Sequence, residues 1–488
     1  MSKDELSMKN RNVFSRSVIT VCIILFFIRI VFISNTLLVD DEAYYAMYAR
    51  HLSWGYIDHG PVVAFAIWIF TFFNESSFTV RLSSVSLMTL TSFLVYYFGR
   101  YIVDKKTALS MSILISANLM FHTNSIIITP DAPLAFFTIN AIIFYYLAFF
   151  KSEKYIYLGG LMLGFAMLSK ISALFPAVGI FIFPFLVNDM RSWTKNIHFY
   201  GSFLLSFIVF LPFVVWNFQN DFAFVSYQGS HIMEGGGIND FIELWLGVAL
   251  LIGPMYFFHS AVKPLINLFR WKDIAPEKKY FTIVTVIPLV YFISQSSFSR
   301  LELNWVAPIF FGGLFLMGLE IKSRQKTSKS FKFQIGYSLV LIFLIMAQSF
   351  YPILPLKGKS DPTNRYYMYS NLIDDTKKMF LDNPELSKLR IVSNEFQIPS
   401  IINFYLNPKN EAICLSIDYH ETLYSFLYDQ NDIKGDSFIY IHDKKDFPVK
   451  LKPYFDSYTQ ILASEEYRNN APIAKYSIWL VKNYSGKI

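Results

Sequence analysis

The sequence predicts a polytopic α-helical membrane protein that ends in a small α/β domain. Three observations carry this reading. Of 488 residues, 54% are apolar and only 16% are charged, too few charges to cover a soluble protein of this length. Apolar stretches recur through the first 355 residues, each near the roughly 20 residues a helix needs to cross a bilayer. Residues 356–488 then change character, with more charge and alternating patterns. Disorder, collagen and a disulfide scaffold are excluded by the same composition, with 21 Gly, 20 Pro and 2 Cys. Cys22 and Cys414 lie in an apolar span and in the C-terminal region and are not expected to pair.

Taken in order, the apolar spans lie near 17–38, 80–98, 107–127, 132–150, 155–168, 171–187, 197–216, 241–261, 281–295, 303–319 and 333–355. Two of them, 155–168 and 281–295, are short, which sets the expectation at about 11 to 13 transmembrane helices. The first follows a charged tail without a small-residue cleavage site and reads as a retained anchor. Two further segments, near 41–54 and 61–73, are too polar or too short to span. They read as helices lying in the outer interface. In the C-terminal part, 366–381 has the pattern of an amphipathic helix, and 390–393, 412–417, 437–441 and 477–481 read as strands. Two domains result, 1–355 in the membrane and 356–488 outside it. There is no internal repeat and no low-complexity tract.

Charge sets the orientation. Residues 1–355 hold 26 Lys/Arg against 19 Asp/Glu, and residues 356–488 hold 17 of each. All the excess positive charge therefore sits in and between apolar spans, which is a topology signal and not a basic groove for nucleic acid. With the N-terminus in the cytoplasm, the cytoplasmic tail and loops carry 21 Lys/Arg. The opposite face then carries Arg50, Arg81, Lys170 and Arg300 before the C-terminal domain. An odd number of spans leaves that domain outside, in the periplasm of a bacterium.

The residues that suggest chemistry gather on this outer face. Asp40-Asp41-Glu42 follows the first span, where three consecutive carboxylates beside anionic headgroups are unfavourable. A helix cap needs only one of them. Asp131 stands between prolines in Thr129-Pro130-Asp131-Ala132-Pro133, where helix capping is an equal reading when the residue is taken alone and a weaker one beside Asp41, which faces the same compartment at similar depth. His59, Arg81, Lys170 and Arg300 supply cations, each of which could instead be a side chain snorkelling from a helix end. Carboxylates and cations together at a lipid–water boundary suit an anionic lipid-linked substrate: cations hold a phosphate and a carboxylate acts at the transferring group.

In these residues the chain resembles the bacterial glycosyltransferases related to protein O-mannosyltransferases (glycosyltransferase family 39) and to the lipid A aminoarabinose transferase. Asp41-Glu42-Ala43-Tyr44-Tyr45 is similar to that family's acidic first outer loop. Trp54-Gly55-Tyr56-Ile57-Asp58-His59-Gly60-Pro61 is similar to its continuation, Pro130-Asp131-Ala132-Pro133 to its second acidic loop and Leu168-Ser169-Lys170 to its Ser-Lys element. Trp216-Asn217 with Tyr227-Gln228 and His231, Glu302-Leu303-Asn304-Trp305, and Asn394-Glu395-Phe396-Gln397 resemble later signatures. Where the family usually has two prolines after Asp-His, this chain has Gly60 and Pro61, a change expected to loosen the turn. Close relatives of the aminoarabinose transferase often carry Lys-Pro-Pro there, so His59 departs from that substrate's pattern.

The resemblance implies a GT-C fold and an inverting transfer of a sugar from undecaprenyl phosphate to an acceptor, lipid A being favoured, at the periplasmic face of the inner membrane. It implies Asp41, Asp131 and Glu42 as catalytic residues, with a divalent metal at Asp41 or Asp131 as a further option. It implies His59, Lys170 and Arg81 at the donor phosphate, and Asp58, Tyr45, His231, Arg300 and Glu302 at the acceptor or its surroundings. No nucleotide-binding glycine loop is evident, as a lipid-borne sugar requires none. A protein O-glycosyltransferase is the nearest alternative. A lipid-linked sugar transporter should show internal repeats and polar residues within spans, whereas Arg29 is the one clear mid-span charge. A membrane sensor would account for residues 356–488 but not for acids in two separate outer loops.

Overall fold

The computed structural model describes residues 20–232, 235–323, 329–356 and 358–486. It contains two compact units. One is helical and takes the described N-terminal residues up to Phe32, then His59–Ala66 and Arg81–Phe343. The other is mixed α/β and takes Ile33–Asp58, Ile67–Val80 and Leu344–Ile488. The mixed unit therefore includes two segments that precede the division at 355 read from the sequence.

Among the described residues, four helices are long and apolar enough to cross a bilayer on their own: Ser77–Gly99, Asp131–Phe150, Ile197–Gln219 and Lys329–Phe350. Three bent helix pairs bring that number to as many as seven if each pair forms one span. Several spans expected from the sequence are met by shorter or broken helices, and the breaks have identifiable causes. The 107–127 window is interrupted at Asn118, between helices Lys105–Ala117 and Leu119–Ile126. The 241–261 window is interrupted at Gly253, where Ile238–Ile252 and Pro254–Phe269 meet at 114°. Gly253 has φ +87°, a left-handed conformation that a side chain resists.

Broken helices in an apolar medium need side chains to replace the lost backbone bonds. Asn118 Nδ2 donates to the Ile252 carbonyl at 2.7 Å, and Gln334 Nε2 donates to the same carbonyl at 2.9 Å. Gln334 Oε1 accepts from the Met255 and Tyr256 amides, both at 3.0 Å. The mid-span charge is also satisfied internally. Arg29 is 1% exposed. Its Nη2 donates to the Ser116 carbonyl at 2.5 Å and its Nε to His122 Nδ1 at 3.4 Å.

The mixed unit is built on a five-stranded sheet: β1 Arg390–Ser393, β2 Ile413–Cys414, β3 Phe438–His442, β4 Phe455–Arg468 and β5 Ala471–Tyr484, in the order β2-β1-β3-β5-β4. β1 pairs parallel with β2 and β3, and β5 pairs antiparallel with β3 and β4. Helices Ser370–Asp382 and Gln397–Leu406 supply Leu372, Met379, Ile398 and Ile401 to the core over Ile391, Ile439 and Ile478. The sequence reading has four of these strands but not β4, most of which is exposed. A strand without a buried face lacks the period-two signal.

The Asp40–Arg50 helix belongs to this unit, and Ala43 joins its core. Every residue from Glu42 to Ala49 is buried. A helix is thus present where one was expected near 41–54, and protein encloses most of its residues. Its three tyrosines, Tyr44, Tyr45 and Tyr48, are all buried. The helix Val62–Thr71 differs: Trp68 is 41% exposed and Ile69 62%.

Candidate active site

Asp131 opens the helix Asp131–Phe150, with Pro130 in the N-cap position and Pro133 in the first turn. Prolines are tolerated there because those amides have no helical partner. The N-cap residue is Pro130 and not Asp131, and the hydrogen bonds of the Asp131 carboxylate go to side chains and not to helix amides. Its two oxygens are used elsewhere. Oδ1 accepts from Lys170 Nζ at 2.8 Å and Oδ2 accepts from Asn304 Nδ2 at 2.6 Å. The Asp131 side chain is 3% exposed and that of Lys170 12%. Lys170 follows the last turn of helix Ile156–Ser169, where the helix dipole favours a cation, and Asp131 occupies a first turn, where it favours an anion.

Gly60 connects the Asp58-His59-Gly60-Pro61 turn to the same region of the helical unit. A Cβ at Gly60 would lie 1.8 Å from the Leu168 carbonyl oxygen. The absent side chain therefore lets the turn pack directly on the backbone two residues before Lys170. This corrects the expected loosening: Gly60 makes a close contact that a proline could not. His59 is partly buried. Arg81 is fully buried within the Ser77–Gly99 helix, which rules out snorkelling for it.

The Glu302-Leu303-Asn304-Trp305 segment contributes Asn304 to this cluster and not its acid. Glu302 is exposed. Arg300 has a 72% exposed side chain and stands 4.0 Å from Asp240. The structure does not bring either to Asp131. His231 lies in helix Ala223–Ile232, and its side chain falls outside the described residues.

A second constellation sits in the mixed unit. Asp40, Asp41 and Glu42 form the first turn of the Asp40–Arg50 helix. Glu42 is fully buried, and its Oε2 accepts from the Val39 amide at 3.0 Å, so this carboxylate caps the helix. Arg365 Nη2 bridges the other two, donating to Asp40 and to Asp41 Oδ2, the latter at 2.8 Å. Tyr369 donates to Asp40 Oδ2 at 3.2 Å. Asp41 retains 41% of its side-chain exposure. Partial burial and the Asp40 charge raise the Asp41 carboxyl above the usual carboxylate range, against the opposing effect of Arg365. Solvent reaching the open side moderates the burial contribution.

Aromatic packing holds this helix rigidly. Tyr48 stacks on Tyr56 at 3.7 Å and donates its hydroxyl to Asp58. Tyr45 is buried and meets Tyr48 edge-on at 5.5 Å. Tyr44 packs on Phe396 at 4.3 Å and accepts the Leu423 amide at 2.8 Å. Asp58 and Tyr45 thus serve to position the helix that bears Asp41.

Among the described residues, no cluster of three or more His, Cys, Asp or Glu has the geometry to hold a metal ion. Asp131 is committed to Lys170 and Asn304, and Asp41 to Arg365. These residues do not fit the metal option, and no step below is routed through a metal. Sequence reasoning missed Asn304 and Arg365. Asn304 lies in Glu302-Leu303-Asn304-Trp305, where the acid is the more conspicuous side chain. The signal near Arg365 was structural, with Asp361 accepting the Thr363 amide and Pro362 opening a short 3-10 turn.

The fold is similar to that of solved structures of ArnT. Residues 58–216, which contain His59, Arg81, Asp131 and Lys170, match the family described as dolichyl-phosphate-mannose-protein mannosyltransferase. ArnT from Cupriavidus metallidurans in the apo state aligns with TM-score 0.62 and 14% identity, over 96% of this chain and 98% of ArnT. The same enzyme bound to undecaprenyl phosphate aligns with TM-score 0.62 and 12% identity, over 95% and 97%. The Archaeoglobus fulgidus oligosaccharyltransferase aligns less closely, with TM-score 0.49, 15% identity and coverage of 80% and 62%. No curated protein sequence matches this chain.

Proposed function

We propose that this chain is an integral membrane glycosyltransferase that moves a sugar from a polyprenyl-phosphate donor to an acceptor at the periplasmic face of the bacterial inner membrane. One observation carries the reading: the family match over 58–216 encloses the Asp131–Lys170 pair, in a chain whose fold follows ArnT nearly end to end. The undecaprenyl phosphate held by ArnT is the donor type proposed for this chain. Lys170, His59 and Arg81 serve the donor phosphate, and Asp131 with Asn304 keeps the Lys170 ammonium in place.

The reaction is a single displacement with inversion. An acceptor oxygen forms a bond to the sugar C1 while the bond from C1 to the phosphate oxygen breaks. The electron pair leaves on the polyprenyl phosphate, and the acceptor proton passes to Asp41. Arg365 orients that carboxylate, and Glu42, Asp58 and Tyr45 fix the helix that carries it. Such a positioned base contributes about a hundredfold to ten-thousandfold in rate.

Lipid A is the favoured acceptor, from the resemblance to the aminoarabinose transferase. A protein acceptor is the second reading, favoured by the description of the matching family. Mass spectrometry of lipid A from cells with and without the gene tests the first. A sugar-sized mass increment that depends on the gene is expected. Unchanged lipid A together with gene-dependent glycopeptides would move the assignment to proteins. Purified enzyme that leaves a polyprenyl-phosphate sugar intact with either acceptor would overturn the reading altogether.

A further inference from the structure

We propose that the mixed α/β unit carries a separate saccharide-binding site, unrelated to the residues assigned to the reaction. A cavity of about 590 Å³ opens at the end of the sheet where β1 and β3 begin, lined by Arg390 and Phe438. Its size falls within the roughly 300–1,000 Å³ of small-molecule sites. Its lining is mainly polar, with the partly exposed Leu389 and Leu427 as its apolar part. Arg390 lies with its guanidinium 5.0 Å from the Tyr428 ring centroid. The guanidinium and the ring form a cation–π pair within the lining.

Two acids, Asp432 and Asp436, also line the cavity. Asp436 is held by the sheet: the Tyr484 amide donates to its carbonyl at 3.0 Å, and the preceding Gly435, at φ +88°, donates to the Tyr484 carbonyl at 2.7 Å. Arg390 and these two acids line one cavity, yet among the described residues none of the three side chains forms an ion pair or a hydrogen bond. Opposite charges that share a cavity without meeting leave their donors and acceptors to a ligand. The carboxylates can each accept from paired hydroxyls, the guanidinium can donate in a fork, and the apolar part suits the C–H face of a sugar ring.

The charge of the cavity narrows the class. Lys388 and Asp429 also line it, giving two cations against three carboxylates. This excess of acid favours a hydroxyl-rich saccharide that is neutral or bears an amine, and disfavours one bearing phosphate or sulfate.

The test uses the purified full-length protein in lipid nanodiscs and three probes: maltotriose, a glucosamine trimer and sulfated maltotriose. Ligand-observed NMR should show the first two binding, the glucosamine trimer more tightly, and the sulfated probe not binding. Arg390→Met and the double variant Asp432→Asn/Asp436→Asn should each weaken binding at least tenfold. The acids are exposed, so the double variant remains informative even if Arg390→Met disturbs β1. The proposal is overturned if neither unsulfated probe binds, if the sulfated probe binds as well as they do, or if the double variant binds like wild type.

Discussion

Asp131 and Asp41 both stand in the first turn of a helix, and both follow an apolar stretch, yet their surroundings differ in kind. Asp131 is closed: 3% exposed, one oxygen on an ammonium and the other on a neutral amide. One cation balances one anion there. Asp41 is open: 41% exposed, sharing a single guanidinium with Asp40. Two anions face one cation, and partial burial together with the Asp40 charge raises the Asp41 carboxyl. A satisfied ion pair holds its partner in place. A carboxylate with one side open to solvent can be reached by an acceptor. On the proposed function, Asp131 is then a positioning residue and Asp41 the base.

The largest expected effect follows from the open site. Asp41→Asn should lower transfer about a hundredfold or more and leave binding of the polyprenyl-phosphate donor unchanged, since the base acts in the transition state. Stability should not fall. A carboxyl whose folded pKa is raised loses stability as pH rises through that range, so at neutral pH ionised Asp41 is a burden that the amide removes. Turnover assays and thermal melts on the purified variant check both parts. Transfer above half the wild-type rate would remove Asp41 from the chemistry.

The closed site should respond in the opposite way. Asp131→Asn leaves the Lys170 ammonium nearly buried without its counter-charge, a change that costs about 3–5 kcal/mol in buried pairs. A lowered melting temperature and at least a tenfold loss of transfer are expected. Asp131→Asn combined with Lys170→Met removes both charges and should restore most of the stability but none of the activity. A double variant that remained unstable would show that the pair is not what holds this region. Recovery of activity would show that neither charge serves the donor.

Much of this contrast lies beyond a single sequence. The uninterrupted spans near 132–150, 197–216 and 333–355 were legible because nothing polar breaks them, and Asp131, Lys170 and Asp41 stood out as charges beside apolar runs. Their partners did not. Lys170 is 39 residues from Asp131, Asn304 is 173 residues away, and Arg365 is 324 residues from Asp41. Such pairings are set by helix packing and by the sheet, which leave no local pattern. The break at Gly253 was hidden for a related reason: an apolar window average does not register a single left-handed glycine or the distant Gln334 that supports it.

Arg365 tests the open site at smaller amplitude. Among the influences on Asp41 it opposes burial and the Asp40 charge. Arg365→Gln should therefore raise the Asp41 carboxyl further, moving the acid limb of the pH–rate profile to higher pH. Activity lost at low pH should return as pH rises, by several-fold, while Arg365→Lys should shift the limb less. A uniform loss at all pH values would mean that Arg365 contacts substrate and does not act through Asp41.

The smallest effect is expected at Asn304, and it bears most directly on the closed state of Asp131. The Asn304 amide is the neutral half of that closure, donating to Asp131 Oδ2 at 2.6 Å. Asn304→Ala would leave one buried carboxylate oxygen without a donor while the Lys170 pair persists. An unsatisfied buried acceptor costs about 1–3 kcal/mol, so a modest drop in melting temperature should appear. Transfer should fall only about twofold to threefold, because the ammonium is still held through Oδ1 and a water can replace the lost amide. The loss should fall on KM for the donor more than on kcat, since a loosened Lys170 weakens phosphate binding before it disturbs the reacting centre. A loss as large as that of Asp131→Asn, concentrated in kcat and without a stability change, would make Asn304 a direct contact to the reacting sugar. Asp131 would then belong to the chemistry as well, and the division between a closed positioning site and an open reactive one would fail at its closed end.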